Sequence, residues 1–210
     1  LCYWYENHSK PTLRASTRNN YENVIYNHVL PEIGKIPLNK LSQNDLQQFY
    51  GRLKKNGRKR LTEQYGAGLS DRMVRMCHAV CRSALERAVQ DDLLRTNPAI
   101  GCKLPPKKAK EMQVLDREEL QKFLIQAQAD GYYELFLLDL CTGLRRGELI
   151  ALQWEDLNFE TGVLTVNKQA YTVNGELQIL PPKTKASVRK LVLPPAVLAV
   201  LREYHKKVDS

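Results

Sequence analysis

The segment from Thr142 to Leu149 reads Thr-Gly-Leu-Arg-Arg-Gly-Glu-Leu and places two arginines beside a helix boundary. The Thr-Gly pair is typical of the end of an apolar helix, and Arg145 follows it in apolar sequence surroundings. A guanidinium is costly to bury unless an anion meets it, and it can bind two oxygens of one phosphate. The segment therefore predicts an anion-binding arginine. The alternative is a structural ion pair between Arg145 and Glu148 that holds a helix corner.

The charge of the chain is concentrated in its first half. Residues 1–110 hold 20 Lys and Arg against 9 Asp and Glu, whereas residues 111–210 hold 12 against 14. Such a basic half favours a polyanionic partner, with nucleic acid as the leading candidate, because each neutralised phosphate releases counterions. A merely solvated basic surface is the alternative.

Several basic residues of the first half are candidates for phosphate contact. The segment 54–60 carries five positive charges and is predicted to be a loop, and two arginines of the following helix lie off its apolar stripe. A Pro- and Lys-containing segment, 101–110, is predicted to be an extended and exposed linker. The candidate DNA-binding residues are Lys54, Lys55, Arg58, Lys59, Arg60, Arg72, Arg75, Lys103, Lys107, Lys108 and Lys110.

The five cysteines have no zinc-ligand spacing, and Cys77 and Cys81 fall on one apolar helical face. We therefore expect free thiols that pack in the core, no metal site, and a reducing cytoplasmic location. No apolar run is long enough to cross a bilayer, so no membrane partner is expected.

Periodicity predicts the elements that position these residues. Helices are predicted at 15–29, 42–56 and 70–93 in the first half, and the apolar spacing of the third helix is regular. In the second half, Asp116 and Glu119 predict a capping box, and an apolar helix follows at 132–142. After Trp154 the period changes to two, which predicts strands at 163–166, 169–173, 177–180 and 188–193, with a final helix from Pro194.

The predicted fold class is α+β. We expect a helical domain over residues 1–100, an interdomain linker over 101–112, and a mixed α/β domain with a small antiparallel sheet over 113–210. The basic turn 183–187 is expected just before the strand at 188–193.

Together these motifs resemble those of the tyrosine recombinases of the phage-integrase family. Within that family, they are most similar to the integrases of conjugative transposons. Residues 142–157 resemble the family's first conserved box. Residues 182–194 resemble its lysine-bearing hairpin, and the early helices resemble its SAM-like core-binding domain. The resemblance covers nearly the whole chain and keeps the order of its parts.

The resemblance implies a site-specific DNA recombinase that needs neither metal nor cofactor. A tyrosine hydroxyl attacks a phosphodiester, forms a 3′-phosphotyrosine and releases a 5′-hydroxyl. Arg145 matches the catalytic arginine that stabilises transition-state charge, and Lys183 matches the lysine that protonates the leaving oxygen. Lys185 is the rival for that role, and Glu148 is expected to orient Arg145.

The family's His-x-x-Arg box and nucleophilic tyrosine have no match in the chain, so we expect it to be a portion of a longer recombinase and inactive alone. The implied partners are double-stranded DNA, three further copies in a tetramer, and an accessory excision factor. A DNA-binding regulator with the same fold but no cleavage activity is the alternative function. A structural helical protein is less consistent, because it explains neither Arg145 nor the lysine turn.

Overall fold

The computed structural model describes residues 1–107, 111–173, 175–182 and 185–208. The chain divides into two compact units, Leu1–Lys110 and Glu111–Ser210. The first unit is helical and the second combines helices with strands. The predicted α+β class is confirmed.

The described part of the first unit, residues 1–107, contains six α-helical segments with π and 3₁₀ turns between them. In chain order they are α1 Cys2–Trp4, α2 Ala15–Val24, α3 Leu30–Ile33, α4 Gln43–Asn56, α5 Thr62–Tyr65 and α6 Asp71–Gln90. π-Helical turns follow α1 at Tyr5–Ser9 and α2 at Ile25–Val29, and 3₁₀ turns lie at Lys10–Thr12 and Leu38–Lys40. The three helices predicted from the sequence are therefore present.

Helix α4 begins where its capping residues predict. The hydroxyl of Ser42 accepts a hydrogen bond from the backbone N–H of Asp45, and the Asp45 carboxylate accepts one from the backbone N–H of Ser42. This reciprocal pair satisfies two of the donors that a helix start leaves free. The helix continues to Asn56, so Lys54 and Lys55 lie on its last turn. The prediction that they belong to a loop is wrong, since the apolar face of α4 extends to the buried Leu53.

Helices α4 and α6 contribute much of the core of the first unit. Phe49 and Leu53 of α4 are fully or nearly fully buried together with Val74, Cys77 and Val80 of α6. Because these residues recur every three or four positions, each helix buries one stripe and leaves its charged face in water. The expectation that Cys77 and Cys81 pack in the core is confirmed, and both are free thiols.

The loop between α4 and α6 is anchored at both ends. The backbone N–H of Leu69 donates to the carbonyl of Leu53, and that of Arg58 donates to the carbonyl of Ala67. Gly68 lies so close to α4 that an added Cβ would stand 2.1 Å from the carbonyl oxygen of Lys54. The basic residues of this loop are thus carried on a defined backbone.

The start of the expected linker packs against the first unit rather than extending into solvent. Gln47 of α4 accepts a hydrogen bond from the backbone N–H of Lys103 at 2.7 Å and donates one to its carbonyl at 3.0 Å. Cys102 and Leu104 are partly buried against the core. Lys108 and Lys110 lie outside the described residues.

The second unit contains four helices and five strands among its described residues. The helices are α7 Arg117–Ala129, α8 Tyr133–Thr142, α9 Arg146–Ile150 and α10 Pro195–Val208. The strands are β1 Leu157–Asn158, β2 Val163–Val166, β3 Gln169–Val173, β4 Glu176–Leu180 and β5 Arg189–Val192. 3₁₀ turns lie at Trp154–Asp156 and Lys185–Ser187, and the predicted capping box of Asp116 and Glu119 is confirmed.

The strands form two antiparallel sheets instead of the single sheet predicted. One has the order β1-β2-β5, and the other is the hairpin β3-β4, in which Val173 pairs with Glu176. Strand β1 was not predicted from the sequence, because its two residues are too few to show an alternating pattern. Strand β2 pairs with β5 and not with its neighbour β3, so the hairpin is inserted between two paired strands.

A close backbone contact joins α9 to this hairpin. A Cβ added to Gly147 would stand 2.8 Å from the carbonyl oxygen of Ala170, which is closer than real Cβ atoms come. Glycine at position 147 therefore allows β3 to lie against the helix that follows Arg145. Leu149, Leu164 and Val166 are buried in the core beneath.

Candidate functional site

Glu148 is the buried centre of the candidate site in the second unit. It is 1% exposed, lies in α9, and its two carboxylate oxygens accept four hydrogen bonds. Arg145 donates from its backbone N–H at 3.0 Å and from Nη1 at 2.9 Å. Arg189 of β5 donates from Nη1 at 3.2 Å and from Nη2 at 2.9 Å.

These contacts fix the ionisation state of Glu148. The hydrogen bonds from Arg189, joined by those from the backbone and side chain of Arg145, lower the pKa of the Glu148 carboxyl from 4.5 to about 2. Burial opposes this change but is outweighed. The carboxylate is therefore charged at neutral pH and holds both guanidinium groups by charge-assisted hydrogen bonds.

The environment of Arg145 differs from the sequence prediction. We expected apolar surroundings, but the Arg145 side chain is 70% exposed. Arg145 is the residue that precedes the first turn of α9, and its backbone is extended there, so its side chain projects away from the core formed by Leu144 and Leu149. The ion pair with Glu148 is present, and only Nη1 of the Arg145 side chain takes part in it.

The exposure of Arg145 determines what the arrangement can do. One guanidinium nitrogen is held by Glu148, so the group has a defined position, while its other N–H groups can meet an anion from solvent. Two arginines around one carboxylate leave a net charge of about +1. The site is suited to bind a phosphate and to stabilise negative charge that develops on its oxygens.

Arg189 was missed by sequence reasoning. Its side chain is 30% exposed, and it also donates a hydrogen bond to the carbonyl of Ser187. Arg189 and Glu148 are 41 residues apart, so no local spacing could join them. The available signal was an arginine at the start of the strand that follows the lysine turn.

Of the two lysines that could donate the proton, only Lys185 lies within the described residues. Lys183 lies outside the described residues, so its proposed role stays a prediction. Lys185 begins the 3₁₀ turn Lys185–Ser187, four residues ahead of Arg189. Because β5 is attached to Glu148 through Arg189, this turn is connected by a short piece of backbone to the Arg145 site.

A second ionic cluster in this unit holds Lys168. Its Nζ lies 3.0 Å from a carboxylate oxygen of Asp156 and 3.4 Å from one of Glu155, and it also contacts Gln153. The cluster ties the turn before β1 to the residue before β3. Its lysine is already neutralised, so we assign it a structural role.

In the first unit, Lys54 and Arg58 are partly engaged by neighbours. Lys54 forms an ion pair with Asp71 at 2.5 Å. The Arg58 guanidinium lies 5.3 Å from the centre of the Tyr65 ring, and its Nε donates to the carbonyl of Gly68.

Most of the other candidate DNA-binding residues of the first unit have side chains that are exposed to solvent. Lys55, Lys59, Arg60, Arg72, Lys103 and Lys107 are exposed. Arg75 is half-buried, and its Nε has no hydrogen-bond partner in the described part of the chain. The candidate DNA-binding residues therefore remain predictions, with Lys54 and Arg58 the least free of them.

Three further observations concern metal binding, membrane spanning and aromatic packing. Within the residues that the structure describes, no group of His, Cys, Asp or Glu is arranged to hold a metal ion. No described helix is long and apolar enough to cross a membrane. Tyr204 and His205 of α10 pack near Trp154, with 4.4 Å between the centres of the Trp154 and His205 rings.

Comparison with known proteins agrees with this fold. Residues 1–54 match the family described as phage integrase, N-terminal SAM-like domain. The chain is 27% identical over 200 residues to the ICEBs1 integrase of Bacillus subtilis, covering 93% of this chain and 51% of that protein. It is 26% identical to a XerC-like tyrosine recombinase of Caldanaerobacter subterraneus, with 94% and 51% covered.

Solved structures give the same fold. The integrase of the Tn1549 transposon, determined in complex with a circular intermediate DNA, superposes with a TM-score of 0.79 at 22% identity over 97% of this chain and 63% of that one. A lambda integrase dimer bound to a core site gives a TM-score of 0.62 at 16% identity, covering 86% of this chain and 62% of that one. The chain spans about half the length of the curated relatives it matches.

The helical unit and the mixed unit together define the integrase fold. Residues 1–54 match the SAM-like domain of phage integrases, and the chain as a whole is similar to integrases and XerC-like tyrosine recombinases. The resemblance noted in the sequence is thereby confirmed, and the named relatives include integrases of mobile elements.

Proposed function

We propose that this chain is part of a site-specific DNA recombinase that integrates and excises a mobile element. It comprises the DNA-binding unit and the first part of the catalytic unit. The observation that carries the proposal is the geometry of Arg145. Its guanidinium is held by the buried Glu148 and is also open to solvent, as binding a DNA phosphate requires.

The reaction that we propose has two balanced steps. A tyrosine hydroxyl attacks a DNA phosphorus, the bond from phosphorus to the 5′-oxygen breaks, and a 3′-phosphotyrosine forms while the 5′-oxygen takes up a proton. In the second step a 5′-hydroxyl of a partner strand attacks the phosphotyrosine, which restores the phosphodiester and the tyrosine hydroxyl. We do not assign this tyrosine to a residue of the chain.

The residues of this chain serve the first step in three ways. Arg145 donates hydrogen bonds to nonbridging oxygens as their charge grows. Glu148 positions Arg145, and Arg189 holds Glu148 in its ionised form. Lys183 or Lys185 delivers the proton to the leaving 5′-oxygen.

The DNA contacts and the assembly are also part of the proposal. The basic first unit binds the duplex mainly through phosphates, which position the protein without reading sequence. The recombining complex holds four copies of the protein on two duplexes, and an accessory excision factor assists excision. A dimer and a tetramer are known for lambda integrase on DNA.

Arg145→Ala in the full-length recombinase tests the proposal, with Arg146→Ala as the matched control. Arg146 is the exposed neighbour in the same Arg-Arg pair. Loss of one transition-state donor should lower the rate of covalent complex formation on a suicide DNA substrate by roughly 10²–10³. DNA affinity should change little, and the control should cleave at nearly the parental rate.

Two outcomes would contradict the proposal. Normal cleavage by the Arg145→Ala variant would remove Arg145 from the chemistry. A parental protein that binds its DNA site but never forms a covalent complex would instead support a DNA-binding regulator with the recombinase fold.

A further inference from the structure

The β3-β4 hairpin leads directly into the basic turn 183–187. The hairpin is inserted between β2 and β5, which pair with each other, and its open end is the pair of Gln169 and Leu180. From that end the chain passes through Pro181 and Pro182 and then enters the basic turn. The position of the hairpin therefore sets where the basic turn begins.

Strand β3 of this hairpin is fixed against the helix that begins after Arg145. A Cβ added to Gly147 of α9 would stand 2.8 Å from the carbonyl oxygen of Ala170 and 3.8 Å from the Cβ of Gln169. Only a glycine leaves room for so close an approach of two backbones. The start of β3 therefore lies at a defined distance from the start of α9.

The side chain of Gln169 extends this connection to the basic turn. Its Nε2 donates a hydrogen bond to the carbonyl of Pro181 at 3.4 Å, and the residue is half-buried. The rings of Pro181 and Pro182 fix the backbone angle φ of both residues near about −65°. Because the chain has little conformational freedom there, holding the Pro181 carbonyl restricts where the next residues can lie.

Arg189 fixes the other end of the basic turn. Its Nη1 donates to the carbonyl of Ser187 at 3.2 Å, and its two Nη groups also donate to Glu148. Ser187 is the last residue of the 3₁₀ turn Lys185–Ser187. This end is therefore connected to the same carboxylate that holds Arg145.

We propose that Gln169 and Arg189 are positioning residues that hold the basic turn at both ends, so that its lysine reaches the leaving 5′-oxygen of the phosphate bound by Arg145. The inference rests on the function proposed above. In the cleavage step the lysine ammonium gives its proton to that oxygen as the bond from phosphorus to oxygen breaks. Both ends of the turn are attached to α9, so one helix sets the distance between the proton donor and Arg145.

Gln169→Glu in the full-length recombinase tests this role, with Gln178→Glu as the matched control. Glutamate keeps the size of the side chain but cannot donate to the Pro181 carbonyl. Gln178 is an exposed residue of the same hairpin, so the control makes the same change of charge. A displacement of about 1 Å can cost about 10²-fold in rate. The hydrogen bond is long, so we expect about a tenfold loss of cleavage for Gln169→Glu and a nearly parental rate for the control.

A DNA substrate with a 5′-bridging sulfur separates positioning of the proton donor from a general loss of structure. Sulfur leaves without a proton, so Gln169→Glu should cleave this substrate at nearly the parental rate. Gln169→Ala, which adds no charge, should give the same pattern. Arg189→Ala should recover only in part on the sulfur substrate, because Arg189 also holds Glu148 and through it Arg145.

The outcomes separate this inference from the proposed function. If both Gln169 variants cleave the normal substrate at the parental rate, or lose as much rate on the sulfur substrate as on the normal one, the positioning role is overturned and the recombinase proposal stands. A parental recombinase that binds its DNA site but forms no covalent complex would overturn both.

Discussion

Glu148→Gln gives the most direct test of how the candidate site is held together. The substitution keeps the size of the side chain but removes the charge that accepts four hydrogen bonds from Arg145 and Arg189. The fall in the Glu148 pKa from 4.5 to about 2 measures how much the folded protein favours the ionised form. At about 1.36 kcal/mol per pH unit, the ionised carboxylate contributes about 3 kcal/mol to the free energy of unfolding.

The exposure of the two arginines gives a similar value for the loss of unfolding free energy in Glu148→Gln. Removing one partner of a buried ion pair costs about 3–5 kcal/mol when the other charge remains buried. Here Arg145 and Arg189 are 70% and 30% exposed, so water can hydrate them after the substitution. We therefore expect a loss of about 3 kcal/mol at neutral pH, at the lower end of that range.

The loss should depend on pH in a defined direction. The folded pKa of Glu148 lies below its ordinary value, so its contribution is complete above pH 4.5 and disappears as the pH falls toward about 2. The difference in unfolding free energy between the parent and Glu148→Gln should therefore shrink through that window. It should stay constant between pH 6 and 8, where Glu148 remains ionised in both the folded and the unfolded chain.

The measurement is urea unfolding followed by the fluorescence of Trp154 in a Trp4→Phe background, so that the signal reports on the second unit. Glu203→Gln is the matched control, because Glu203 of α10 is an exposed carboxylate that pairs with the exposed Lys206. The control should leave the midpoint nearly unchanged. If Glu148→Gln unfolds at the parental midpoint, or if its deficit is the same at pH 3 as at pH 7, the reasoning is refuted.

Three further predictions address other parts of the molecule. Lys183→Ala in the full-length recombinase should slow cleavage, and a substrate with a 5′-bridging sulfur should restore much of the rate, since sulfur leaves without a proton; rescue of Lys185→Ala instead would move the role to that residue. Gly68→Ala should lower the free energy of unfolding in urea titrations by on the order of 2 kcal/mol, because the added Cβ would clash with the carbonyl oxygen of Lys54. Gly51→Ala in α4 should raise the free energy of unfolding by about 0.5–1 kcal/mol, because no atom lies within 4 Å of the added Cβ. Alanine at all four lysines of the basic segment should weaken DNA binding and flatten its salt dependence without changing sequence preference, and an unchanged slope in binding titrations would contradict this. The four lysines are Lys103, Lys107, Lys108 and Lys110.

The features that sequence predicted well are those set by neighbours along the chain. The capping boxes at Ser42 and Asp116 each depend on residues three positions apart, so the sequence contains the whole interaction. The buried face of α6, with Cys77 and Cys81, follows from the helical repeat in the same way. The hairpin of β3 and β4 was visible because two strand patterns flank a two-residue turn.

The features that sequence missed depend on contacts between distant segments. The pairing of β2 with β5 leaves β3 and β4 as a separate sheet, and no local pattern distinguishes that arrangement from one continuous sheet. Arg189 reaches Glu148 only because β5 lies beside α9. The exposure of Arg145 was also missed, because apolar neighbours in sequence do not reveal which way a residue at a helix start projects.

The sequence left two roles open for Arg145, an ion pair that holds a helix corner and a ligand for phosphate, and the geometry makes the two compatible. Glu148 accepts a hydrogen bond from one side-chain nitrogen of Arg145 and from both Nη groups of Arg189, so Arg189 donates two of these three side-chain hydrogen bonds. Without Arg189, Arg145 alone would have to compensate the buried carboxylate, and fewer of its N–H groups would be available to an anion. The second arginine therefore allows Arg145 to hold the helix corner and still offer N–H groups to an anion. The same arrangement predicts that loss of Arg189 impairs cleavage through Arg145, without any contact between Arg189 and DNA.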